Sequence, residues 1–137
     1  MIKCVIINSC SEEFVPDDSS FNKWISAIDY NPQAEVTIKI VEENEMRNFN
    51  ILYRNQDKIS DTLAFPANNL QLNGILLLGD IAMCAKKINS DSKHYSKEKI
   101  ERWAHLTIHS MLHILGYDHN SPENQNKMED IEIELLK

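Results

Sequence analysis

Glycine and proline are scarce, three and four in 137 residues. With no internal repeat or low-complexity tract beside them, this excludes collagen-like arrays and long flexible linkers. Cysteine is nearly as sparse. Cys4, Cys10 and Cys84 form an odd set without C-x-x-C spacing, so neither a disulfide framework nor a thiolate zinc site is expected, and the predicted setting is reducing and cytoplasmic. No stretch reaches the roughly 20 apolar residues of a membrane span. The opening MIKCVIINSC has one lysine, a short apolar run and no small-residue cleavage site, so no secretory signal is expected there. Positive charge is in deficit as well. A formal net charge of −7 argues against a protein that coats nucleic acid electrostatically, because phosphate contacts need clustered Lys and Arg.

What remains is the composition of one folded domain. Hydrophobic residues at 42% and charged residues at 26% support a packed core, and the length fits a single domain over residues 1–137. The chain reads as a succession of short elements. Lys3 to Ile7 is a strand, and Phe21 to Ile28 a helix behind the start signal Pro16-Asp17-Asp18-Ser19-Ser20. Ala34 to Val41 alternates Val36, Ile38 and Ile40 with polar residues, the period of a strand with one wet face. Glu42 to Arg54 is a helix with Met46, Phe49 and Tyr53 on one side. Asp61 to Phe65 is predicted as a short strand stopped by Pro66, and Gly74 to Cys84 as a central strand buried on both faces. Ser96 to Leu115 forms the longest helix, closed by Gly116, and Pro122 to Leu136 the last, with Met128, Ile131 and Leu135 inward. The fold class expected is α+β: a small mixed sheet of about four strands packed with about four to five helices.

Charge gathers in two places. Lys86, Lys87, Lys93, Lys97, Lys99 and Arg102 crowd one stretch, and Glu123, Glu129, Asp130, Glu132 and Glu134 load the C-terminal end. Taken alone, each run is a solvated helix face.

The longest helix carries the chemistry. His109 and His113 stand one turn apart, so both imidazoles project from one face about 6 Å apart, a separation that suits two ligands of one ion. A third ligand must come from elsewhere, because one straight helix cannot surround a tetrahedral ion. Gly116 lets the chain turn back, and His119 follows three residues later. His105 lies one turn before His109 but about 12 Å along the axis from His113, too far to share its ion. It is a packing residue or supports a ligand from behind. Three neutral imidazoles leave zinc its full charge and an open position, the arrangement that acidifies bound water to a pKa of about 7. The spacing H-x-x-x-H-x-x-G-x-x-H also occurs in metzincin proteases, where Glu follows the first His as general base. Here that position is Ser110, whose hydroxyl replaces a carboxylate poorly. A zinc-dependent peptidase therefore ranks second.

The string His109-Ser110-Met111-Leu112-His113-Ile114-Leu115-Gly116-Tyr117-Asp118-His119 resembles the H-G-x-L-H-L-x-G-Y-D-H signature of the YbeY family, metal-dependent endoribonucleases that mature bacterial rRNA. Asn50-Ile51-Leu52-Tyr53-Arg54 with Ser60-Asp61-Thr62-Leu63-Ala64-Phe65-Pro66, and Leu78-Gly79-Asp80-Ile81, fit the family's upstream blocks. Ser110, Ser60, Thr62 and Ala64 stand where the family usually has Gly, Thr, Val and Ser, and none of these departures removes a ligand.

The resemblance implies a zincin-like metal helix, one zinc ion on His109, His113 and His119, and Arg54 with His109 as the catalytic pair. It also implies a single-strand-specific endoribonuclease acting in 16S rRNA 3′-end maturation and ribosome quality control. The implied partners are single-stranded rRNA, the small ribosomal subunit and assembly factors, without a membrane.

In such a site zinc polarises a phosphoryl oxygen or supplies hydroxide, and Arg54 stabilises the added negative charge. The basic run from Lys86 to Arg102 is then available to track an RNA backbone. Tyr95 and Trp103 are stacking residues or core. Asp118 either fixes the tautomer of a ligating imidazole or caps the turn, and Asp80 closes the substrate groove, pairs with a basic residue or simply ends a strand. A ribosome assembly factor with a structural metal is the third reading.

Overall fold

The computed structural model describes residues 1–11, 13–94, 98–117 and 121–136, with the side chains of these apart from Asn69, Lys93 and His94. The elements run β1(Ile2–Asn8), α1(Asp18–Ser26), β2(Ala34–Val41), α2(Glu43–Arg54), β3(Thr62–Leu72), β4(Ile75–Cys84), α3(Ala85–His94), α4(Lys99–Ile114) and α5(Pro122–Leu135). The four strands form one sheet in the order β1-β2-β4-β3. β1, β2 and β4 are parallel, and β3 closes the edge antiparallel to β4. This is the single α+β domain with a mixed sheet that the patterning predicts.

The sheet is covered unequally. On one face Phe21 and Ile25 of α1, Ile88 of α3 and Trp103, Leu106 and Met111 of α4 pack on Ile38, Ile40, Ile81 and Met83. On the other, Met46 and Phe49 of α2 meet Val41, Ala82, Cys84, Leu63 and Phe65. α5 lies outside this stack, its Met128, Ile131 and Leu135 against Ile108 and Leu112 of α4. Trp103 is fully buried with its indole N–H donated to Asn89 Oδ1 at 2.8 Å, so it belongs to the core and not to an RNA surface. Cys4, Cys10 and Cys84 are buried and form no disulfide.

Two elements differ from the sequence reading. β3 does not stop at Pro66 but runs on to Leu72. Proline lacks only a donor, and an edge strand has one side with no neighbour to receive it; the register also shifts between Pro66 and Leu70, relieving the ladder there. Secondly, α3 begins directly after β4, where the sequence reading has no element. Its inward face is supplied by Ile88 and by Asn89, whose amide donates to Phe14 O at 3.0 Å and accepts from Trp103. A helix packed through an asparagine leaves little hydrophobic periodicity to find.

A candidate metal centre beneath the edge strand

α4 starts behind Glu98 and ends in a Schellman turn. Tyr117 N–H donates to Leu112 O at 2.9 Å and Gly116 N–H to His113 O at 3.1 Å, with Gly116 at φ +101°. The glycine therefore terminates the helix two residues after Ile114, as the sequence predicts. Asp118 and His119 lie outside the described residues, as do Tyr95 and Lys97.

On the last turns of α4 the two central histidines meet. His109 Nε2 and His113 Nε2 stand 3.2 Å apart, their rings nearly perpendicular at 77°. Nitrogens bound about 2.0–2.1 Å from one tetrahedral ion are separated by about 3.3–3.4 Å, so the pair already has the spacing of two ligands. Behind His109, Glu132 of α5 comes within 2.5 Å of Nδ1 through Oε1, while its Oε2 lies 3.1 Å from His105 Nε2. An ionised carboxylate can only accept, so a carboxylate at Nδ1 favours the His109 tautomer that carries its proton there, with Nε2 turned toward His113. The other ring nitrogen of His105, Nδ1, is buried without a hydrogen-bond partner among the described residues.

His105, His109 and Glu132 also form a group whose ligand atoms lie within 4.8 Å of one another. The two arrangements share His109.

These residues line a cleft of about 870 Å³ between β3, α4 and α5. Its far wall holds Arg54, the last residue of α2, whose guanidinium donates to Ala64 O at 3.0 Å and sits 5.4 Å from the Phe65 ring centroid. Arg54 thus crosses the edge strand into the cleft that the histidines line. Asn50 explains how. Fully buried, its amide donates to Lys58 O at 3.0 Å and Ser60 Oγ at 3.2 Å, clipping the loop after α2 so that β3 enters beneath Arg54. Arg102 and Ser110 also line the cleft, Arg102 paired with Asp61 at 3.2 Å. Of the basic run, Lys86 pairs with Glu43 at 3.3 Å and Lys87 with Asp91 at 3.4 Å, and neither lines the cleft; among the described residues Arg102 is the member of the run that does.

The sequence reading brings Arg54, His109 and His113 to one place and leaves Glu132 among the solvated acids. The signal for Glu132 was available. With Met128, Ile131 and Leu135 inward, position 132 falls on the same stripe, and a carboxylate there needs a partner inside. Asp80 is exposed and lines a separate recess of about 250 Å³ with Lys39, Phe49, Tyr53 and Phe65 on the α2 face, so it does not wall the histidine cleft.

A small α+β domain whose longest helix presents paired imidazoles to a cleft, opposite an arginine, has the make-up of a metal-dependent hydrolase. The family model described as Endoribonuclease YbeY matches residues 11–137, and the chain belongs to that family. Membership supports an endoribonuclease role in rRNA processing, in a family whose chemistry is metal-dependent. The fold is also similar to the solution structure of TM1509 from Thermotoga maritima. That structure matches with a TM-score of 0.57 at 21% identity, over 98% of this chain and 89% of that one. No helix among the described residues is long and apolar enough to cross a membrane.

Proposed function

We propose that residues 1–137 act as one zinc-dependent endoribonuclease domain that cuts single-stranded RNA, in 16S rRNA 3′-end maturation and ribosome quality control in the cytoplasm. The small ribosomal subunit and its assembly factors are the proposed partners. The observation that carries the reading is the His109–His113 pair, its Nε2 atoms 3.2 Å apart in a cleft that also receives Arg54.

His109 and His113 would hold the ion through Nε2, with His119 as third ligand. The alternative group of His105, His109 and Glu132 fits less well. Its 2.5 Å contact between Glu132 and His109 is far shorter than the edge of about 3.3 Å between two ligands of one tetrahedral ion.

When bound, zinc supplies Lewis acidity toward a phosphoryl oxygen. The residues supply the rest. Arg54, anchored on Ala64 O and Phe65, keeps N–H donors for two phosphate oxygens and stabilises the charge that grows on them in the transition state. His109 stays fixed with its proton on Nδ1. Glu132 does not serve as the general base of a peptidase, because both of its oxygens are engaged by imidazoles.

The test is cleavage of a single-stranded RNA, the same sequence as a duplex, and an unstructured peptide, after removing metal with a chelator and restoring zinc. Cutting of the single strand alone, lost with the chelator and regained with zinc, is expected. Peptide cleavage without RNA cleavage contradicts the reading.

A further inference from the structure

Among the described residues, Glu132 is the one charged side chain that is buried. A carboxylate withdrawn from water needs compensating donors or a nearby cation. Nothing basic from α5 itself provides them. The donors come from α4: His105 Nε2 at 3.1 Å on one oxygen and His109 Nδ1 at 2.5 Å on the other. His109 in turn faces His113 at 3.2 Å through its opposite nitrogen. Carboxylate, imidazole and ligand pair therefore form a line from α5 into the cleft.

That line has a direction. A histidine can present a lone pair at Nε2 only if Nδ1 keeps the proton, and an acceptor at Nδ1 secures that tautomer and the angle of the ring. The same acceptor raises the basicity of the ligating nitrogen. It also places a negative charge beside a divalent cation, which offsets the burial of both.

We propose that Glu132 is a positioning residue of the metal centre: its carboxylate aims His109 Nε2 at the ion and, through that contact, ties the C-terminal helix α5 to metal binding. The inference rests on the ligand assignment proposed above. It makes α5 part of the site although α5 supplies no ligand. Zinc binding then tightens the docking of α5 on α4, and loosening α5 lowers zinc affinity.

The experiment measures the zinc dissociation constant of the full chain by competition with a chromophoric chelator, for wild type, Glu132→Gln, Glu132→Ala and His113→Ala, each checked for native circular dichroism without metal. Cobalt-substituted spectra and amide exchange with and without zinc complete it. Glu132→Ala is expected to weaken zinc binding by about 10–100-fold. Glu132→Gln, whose amide oxygen still accepts from Nδ1–H, is expected to weaken it less and to keep the tetrahedral cobalt spectrum. Amide exchange in α5 should slow with zinc in the wild type and not in Glu132→Ala. Unchanged zinc affinity in both folded variants overturns the proposal, even if the metal-free protein melts earlier, since that is a purely structural role. Loss of the tetrahedral cobalt spectrum in Glu132→Gln also overturns it, by making the carboxylate a ligand. If the wild type binds no zinc, or His113→Ala binds it as tightly as wild type, the ligand assignment itself fails and takes this inference with it.

Discussion

Cys4 shows how far single side chains in this domain are set by their surroundings. Buried under α1, its thiol is pushed up to about 12, first by desolvation and then by the charge of Asp18. The ordinary thiol value is 9.0, so between about pH 9 and about pH 12 the unfolded chain releases a proton that the folded chain keeps. Stability is then fully present below pH 9 and is lost as pH rises, at up to about 1.4 kcal/mol per pH unit for the thiol. Cys84 is shifted the same way, again by burial. Urea midpoints at pH 8 and pH 10 should fall more steeply for wild type than for Cys4→Ala; equal falls would show that the thiol does not contribute. Of the residues that line the cleft, His109, His113 and Arg54 were singled out from the sequence because their chemistry is tied to helical spacing and to family blocks. Glu132 was legible only in part: position 132 falls on the inward stripe of α5, but the acids around it read as one solvated face, and the packing of α4 against α5 is what separates the buried acid from its exposed neighbours Glu129, Asp130 and Glu134.

At the scale of elements, the cleft depends on how closely β3 can approach β4. Gly79 stands opposite Pro66 in that pairing at φ +140°, and a Cβ on it would fall 2.3 Å from Phe65 O. The obstructing atom is backbone, so the edge strand must move rather than a side chain, and with it Ala64 O, which holds Arg54. Gly79→Ala is expected to cost more than about 1 kcal/mol, from backbone strain alone. It should also reduce RNA cleavage while zinc content stays at the wild-type level, because α4 lies outside the β3–β4 ladder. A wild-type urea midpoint together with wild-type cleavage would contradict this role. Strand and helix identities came readily from periodicity: Ala34 to Val41 matches β2 to the residue, and the glycine stop at Gly116 is realised as a Schellman turn. What periodicity could not supply was the extension of β3 through Pro66, which depends on β3 being an edge, and α3, whose inner face is shared by an isoleucine and a hydrogen-bonded asparagine.

For the whole molecule, two layers of helices on one side of the sheet and α2 on the other bring three distant stretches to one cleft: Arg54 from α2, the histidines from α4 and Glu132 from α5. The order of elements was readable, but the convergence was not, since it requires Arg54 to cross the edge strand from the opposite face. That division of labour makes the central claim testable by separating metal binding from cutting. The measurement is zinc content per chain together with cleavage of a single-stranded RNA, for wild type, His113→Ala and Arg54→Ala of matched fold. The account predicts about one zinc per chain in wild type and Arg54→Ala, none retained by His113→Ala, and cutting by wild type alone. Zinc bound by all three with RNA cleavage unchanged, or absent throughout, would contradict it.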